Sequence, residues 1–188
     1  MRVSVLRAAG LTLSAAVVLL VAGCSSDTPK SAATPTTPLP RASAPTPLTI
    51  GQVATYDVPA TAGGGTSRMS VWFEGIEYLS AQGIGATGEP KRGQFVRITL
   101  TVKNVGTKNA SFSSDGKIKW ESDATAPQVV TTTEGVREGA DLNTTYKPGQ
   151  SLNGSFNLDI GGQEGKATYW QNLTDAQPSF VLKLSLGE

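Results

Sequence analysis

Strict alternation of apolar and polar side chains, with no sustained helical period, most constrains what this chain can become. Across residues 95–104, Val96, Ile98, Leu100 and Val102 share one parity, and Arg97, Thr99, Thr101 and Lys103 share the other. Successive side chains of a strand point to opposite faces, so this is a half-buried strand. Residues 151–160 repeat the device, with Leu152, Phe156, Leu158 and Ile160 inward and Asn153, Ser155, Asn157 and Asp159 outward. The C-terminal stretch does so again, setting Phe180, Leu182, Leu184 and Leu186 against Lys183 and Ser185. A slip of one residue would expose every inward side chain, so these registers are strongly specified.

Residues 69–79 break the alternation once. Met69, Val71 and Phe73 share one parity while Ile76 and Tyr78 take the other, with Gly75 at the switch. That pattern predicts a β-bulge that re-aims the strand. Shorter strands are expected at 52–56, 110–113, 117–121, 128–133 and 167–172. Turn signals separate them at Asn104-Val105-Gly106, Asp115-Gly116, Pro148-Gly149 and Gly161-Gly162. Many short strands with regular turns imply an all-β, antiparallel sandwich over residues 50–188.

The N-terminal region is of a different kind. Arg2 and Arg7 precede an apolar run, residues 8–21, that is too short to span a bilayer, which takes roughly 20 apolar residues. The run ends at Val21-Ala22-Gly23-Cys24, and Cys24 is the only cysteine. A basic start, a short apolar core and small residues before the cut describe a signal peptide over residues 1–23. The box resembles the lipobox of bacterial lipoproteins. There the thiol receives diacylglycerol and the chain is cut before the cysteine. The expected product carries a covalent acyl lipid on Cys24 and no other cofactor, and lies on the outer side of the cell membrane.

Residues 24–49 read as a disordered Pro/Thr/Ser/Ala tether, with Pro29, Pro35, Pro38, Pro40, Pro45 and Pro47 in it. Such a composition lacks the apolar bulk to offset ordering entropy. At ~3.1 Å per residue in polyproline II the stretch reaches roughly 75 Å. Asn-x-Ser/Thr triplets at Asn109, Asn143, Asn153 and Asn172 are read as ordinary turn residues.

Two structural motifs lie about forty residues apart. The segment Gly93-Gln94-Phe95-Val96-Arg97-Ile98-Thr99-Leu100-Thr101-Val102-Lys103-Asn104-Val105-Gly106 runs a strand into an Asn-x-Gly turn. Then Tyr146-Lys147-Pro148-Gly149-Gln150 opens the strand at 151. This pairing resembles a domain of unknown function carried by lipoproteins of Gram-positive, actinobacterial type. That family has a telokin-like, immunoglobulin-like sandwich akin to a small secreted mycobacterial antigen. The resemblance implies that fold from about Gly51 onward and transfers no catalytic residue. A Gly63-Gly64-Gly65 loop and the long connection over 124–146 depart from it.

Composition excludes several chemistries. The chain holds 16 basic and 15 acidic residues and no histidine. Losing Arg2 and Arg7 with the signal peptide leaves 14 against 15, a side-chain sum of −1. No strongly basic surface is available for phosphate, so nucleic acid is not an expected partner. Without histidine there is no Ser-His-Asp or Cys-His catalysis and no histidine-zinc site. Gly83-Ile84-Gly85-Ala86-Thr87-Gly88 spells a dinucleotide-binding pattern, yet Glu89-Pro90 follows and no β-α-β unit can be drawn, so it reads as a loop. Gly161-Gly162-Gln163-Glu164-Gly165-Lys166-Ala167 falls short of a P-loop by one residue and lacks its hydroxyl; it reads as a hairpin loop.

Carboxylates remain. Glu74 and Glu77 would face opposite sides of a regular strand, but the bulge can bring them together. Glu134, Glu138 and Asp141 are oxygen donors for a calcium alternative, without the EF-hand spacing. Trp72-Phe73 and Tyr169-Trp170 each place one aromatic outward, which makes Trp72 and Trp170 candidates for a binding patch toward an envelope protein or a glycan. The expected function is non-enzymatic: a lipid-anchored module that binds at the cell envelope. The alternatives are an accessory subunit of an envelope complex or transporter and, last, a carboxylate-based enzyme.

Overall fold

A computed structural model of the protein describes residues 43–133 and 135–185. The signal segment, Val21, Ala22, Gly23, Cys24, most of the Pro/Thr stretch, Glu134 and Leu186 lie outside the described residues. In chain order the strands are β1 (Val53–Pro59), β2 (Thr66–Leu79), β3 (Gln94–Asn104), β4 (Ala110–Phe112), β5 (Ile118–Ser122) and β6 (Thr125–Val130). They continue as β7 (Thr132–Thr133), β8 (Thr144–Tyr146), β9 (Ser151–Ile160), β10 (Lys166–Tyr169) and β11 (Phe180–Lys183). No helix occurs among the described residues.

The larger sheet runs β1-β2-β3-β9-β7 and the smaller β11-β10-β5-β6, all antiparallel, with β4-β8 as a separate pair. This is the all-β, two-sheet layout of an immunoglobulin-like sandwich. The alternation decides what each sheet buries. Val96, Ile98, Leu100 and Val102 of β3 are all fully buried, as are Leu158 and Ile160 of β9. They meet Ile118, Trp120, Ala167, Phe180 and Leu182 of the smaller sheet in one core. Tyr169 stacks between Phe112 and Phe180, with ring centroids 5.1 and 4.8 Å away.

The bulge falls where the parity switch predicted it. The β2–β3 register shifts between Phe73 and Gly75, so Glu74 is the extra residue and Ile76 and Tyr78 return to the core side. Other expectations are corrected. The strand expected over 128–133 is two strands in different sheets: β6 pairs with β5, and β7 pairs with β9. Gly161 to Gly165 do not close a hairpin, because β9 and β10 also belong to different sheets. Instead the loop wraps Trp120, whose indole N–H donates to the Glu164 carbonyl at 3.1 Å. Asn153 lies in β9 rather than in a turn. The folded unit also takes in Leu48, inside the stretch expected to be tether. Leu48 is buried and bridges β11 in parallel, donating to Val181 O and accepting from Lys183 N at 2.8 Å each. Its buried side chain holds it in place while its backbone closes a strand edge that would otherwise present unpaired groups.

The two motifs behind the family resemblance meet in space. Asn104, fully buried, ends the inward row of β3. Its amide donates to the carbonyls of Lys108 (2.7 Å) and Tyr146 (3.0 Å), and its Oδ1 accepts from the Gly106 N–H at 3.0 Å. The Ser67 hydroxyl divides its one proton between Asn104 Oδ1 (3.1 Å) and the Lys108 carbonyl (2.8 Å). The Asn104 backbone pairs with Gly149 and Gln150 of the Pro-Gly turn. One asparagine thus ties two turns and β8 to the end of the core.

Buried tyrosines give the domain an alkaline limit. Burial raises Tyr56 well above its ordinary value, pushes Tyr169 up to about 12 and raises Tyr146 too. The unfolded phenol titrates near 10. The neutral form is therefore favoured in the fold, and that stability is complete below about pH 10 and is lost as pH rises toward 12. Spectrophotometric titration should show buried tyrosinate absorbance appearing together with loss of near-UV circular dichroism above pH 10. With no histidine to titrate, the melting temperature should stay nearly flat between about pH 6 and 9.

Candidate binding surface

Outward parity in the larger sheet places polar residues in registered rows across its strands. Glu77, Arg97, Asn157 and Thr133 lie side by side across β2, β3, β9 and β7. Farther along the sheet, Val53, Trp72, Thr101 and Asn153 form a second row across β1, β2, β3 and β9. The bulge adds Glu74 to this face, where it accepts from the Thr101 hydroxyl and, at 2.7 Å, from the Asn153 amide. Glu74 and Glu77 therefore share one face, as the bulge allows, but each has its own partners.

Part of this face is covered. Residues 138–140 run along the free edge of β9, with Ala140 N–H donating to Asn153 O and Ser155 N–H to Glu138 O, both at 2.8 Å. Gly154 permits the approach: a Cβ there would lie 2.0 Å from the Ala140 carbonyl oxygen. The covering connection roofs over Arg97, leaving its side chain 7% exposed. The guanidinium donates to Glu138 at 2.8 Å, Glu77 at 3.2 Å, the Val136 carbonyl at 3.1 Å and Asn157 at 3.4 Å. A buried cation is tolerable only with such partners.

Residues 80–93 cover the neighbouring end. Ile84 and Phe95 are buried there, outside the main core. The two coverings join where Val136 N–H donates to Ile84 O at 2.7 Å. Asp159 holds the second loop down, accepting from the backbone N–H groups of Lys91 (2.7 Å) and Arg92 (3.0 Å). Between the coverings opens a cleft of about 860 Å³, lined among others by Gly85, Thr87, Lys91, Phe95, Thr133 and Asp159. Its volume falls in the range of small-ligand sites. The G-x-G-x-x-G pattern thus forms the rim of a cleft as a loop, with no helix for a pyrophosphate.

Trp72 and Trp170 both point away from the core, but the fold does not bring them together. Trp72 stands on the outer face of the larger sheet, 46% exposed. Trp170 follows β10 on the outer side of the smaller sheet, half-buried, with Lys119 Nζ 4.0 Å from its ring centroid and its N–H donating to Thr168 at 2.9 Å. They form two separate surfaces. Of the calcium candidates, Glu138 is held by Arg97. Asp141 accepts from Asn143 N–H at 3.0 Å and lies 3.7 Å from Arg137. Glu134 is not described, and no cluster of three or more metal-ligating side chains occurs among the described residues.

Sequence reasoning did not single out Arg97, Asn157 or Asp159. Their signal was present as four consecutive outward polar positions in β9 opposite an arginine in β3, together with a long connection that had to lie against something.

An antiparallel β-sandwich with an aromatic and polar outer face is the class of protein that this fold and surface define. Among solved structures, it is similar to MPT63, a secreted protein from Mycobacterium tuberculosis known from a 1.5 Å crystal structure. The TM-score is 0.52 at 15% identity, over 73% of this chain and 98% of that one. At that identity the likeness is one of fold. No protein-family model matches the chain, and no curated protein matches its sequence.

Proposed function

We propose that this chain is a lipid-anchored protein of the outer side of the cell membrane whose β-sandwich is a non-enzymatic binding module. The observation that carries the anchorage is the placement of the sole cysteine. Cys24 follows Val21-Ala22-Gly23 at the end of a short apolar run and precedes a Pro/Thr-rich stretch. Two acyl chains or more hold a protein at a bilayer stably, where one chain binds only marginally. The secreted nature of the MPT63 sandwich fits an address outside the cytoplasm.

The binding role rests on the outer face of the larger sheet, with its open cleft and exposed Trp72. A non-enzymatic reading is supported by the commitments of four carboxylates on the outer face of the larger sheet. Glu77 and Glu138 neutralise Arg97, Glu74 bonds Thr101 and Asn153, and Asp159 anchors a loop. Cys24→Ala tests the anchor. The variant should stay in the aqueous phase of a detergent partition and keep its unmodified N-terminal mass, while the natural chain enters the detergent phase with lipid on residue 24. A natural chain of unlipidated mass would sink the proposal.

A further inference from the structure

We propose that the row Val53–Trp72–Thr101–Asn153, with Glu74, is a saccharide subsite; this deepens the binding-module reading and rests on it. The row crosses β1, β2, β3 and β9 in register on the uncovered part of the outer face. Neighbouring strands lie about 4.8 Å apart, so the row spans about 14 Å, the length of a short oligosaccharide laid across the strands. One half is apolar, with Val53 56% and Trp72 46% exposed beside each other. The other half is polar.

The polar half has a definite sense. Thr101 gives its hydroxyl proton to Glu74 Oε1, and the Asn153 amide gives one proton to Glu74 Oε2 at 2.7 Å and one to Thr101 Oγ1 at 3.0 Å. Every side-chain donor of the three is therefore consumed within the cluster. What faces outward is acceptor capacity alone: the spare lone pairs of Glu74 and the Asn153 Oδ1. A pyranose ring complements this surface. It has a C–H face that packs on the electron-rich face of an indole, and a rim of hydroxyl donors for the fixed acceptors. Because the cluster is already held by its own hydrogen bonds, little side-chain freedom is lost on binding.

Trp170 serves as an internal control, since its ring already carries Lys119 and it stands on the other sheet. A single open indole is also not the aromatic cage that recognises a quaternary ammonium ligand.

Calorimetric titration of the full chain with chitopentaose, cellopentaose and mannopentaose, each up to about 10 mM, tests the subsite. At least one is expected to bind and to shift the Trp72 fluorescence. Trp72→Ala should weaken that binding at least about tenfold, Trp72→Phe should recover part of it, and Trp170→Ala should leave it within about twofold. Glu74→Gln should also weaken it. Its acceptor count falls while the apolar half is untouched. An unchanged urea midpoint for each variant shows that the sandwich is intact.

No binding by the natural chain, or equal binding by Trp72→Ala, overturns the subsite. So does displacement of the sugar by N-acetyl-lysine methylamide, which would mark a cation site instead. If the pentaoses fail while a protein cross-links through the Trp72 face, the saccharide is overturned and the binding module stands. The lipid on Cys24 is read separately by mass.

Discussion

Replacing Asn104 by alanine is expected to lower the unfolding free energy of the sandwich by about 2 kcal/mol. The truncation removes one buried side chain and takes the Asn104 amide from the Tyr146 carbonyl, while the Lys108 carbonyl keeps the Ser67 hydroxyl and the Gly106 N–H keeps the Arg68 carbonyl. Each buried group left unpaired costs about 1–3 kcal/mol, with the lower figure apt for those near the surface. A domain of this size has roughly 5–15 kcal/mol in total, so the loss is a large part of it. Urea unfolding followed through the buried Trp120 should show a lower midpoint at an unchanged slope. Asn104→Asp should not rescue it, because it keeps the acceptor but loses both donors and brings a charge into the core. A midpoint within experimental error of the natural chain would show that water replaces these bonds.

Gly154→Ala is expected to cost about 2–3 kcal/mol, by a different route. The added methyl would lie 2.0 Å from the Ala140 carbonyl oxygen, so the covering segment must lift from β9. Lifting breaks the Ala140–Asn153 and Ser155–Glu138 backbone bonds and takes the Glu138 carboxylate from Arg97. The loss should be local. Amide exchange is expected to accelerate at Ala140 and Ser155 while the β2–β3 amides keep their protection. Uniform acceleration across both sheets would mean that the covering segment and the core unfold together.

The two variants mark different depths of legibility. Asn104 belongs to a motif visible in the sequence, a strand running into Asn-x-Gly, and its turn was expected. Its partners Ser67 and Tyr146 were not, because they lie 37 and 42 residues away along the chain. Gly154 looked only like a gap in an otherwise apolar parity. Its role depends on a segment that crosses β9 and has no periodic signature of its own. The same holds for Trp72 and Trp170. Alternation correctly turned both outward, but it cannot say which sheet a strand joins, and they stand on different ones. The split of 128–133 between sheets was hidden for a related reason: Val130 and Thr132 keep the alternating parity while the chain changes partner.

By itself the sequence determined the local rules: where the long strands β2, β3 and β9 run, which of their faces is apolar, where the bulge and the Asn-x-Gly and Pro-Gly turns fall, and that the one thiol sits in a lipobox-like setting. Those follow from side-chain period and backbone preference, which act over a few residues. Only the tertiary structure decided that Arg97 and Asp159 are covered while Trp72, Thr101 and Asn153 stay open on the same sheet. Burial of an outward face depends on which distant loop crosses it. That crossing is settled by close approach at Gly154, hydrogen bonds along the edge of β9 and the need to pair a buried guanidinium. Their traces in the alternation, a glycine gap in β9 and an arginine on the polar parity of β3, do not say which segment comes to cover them.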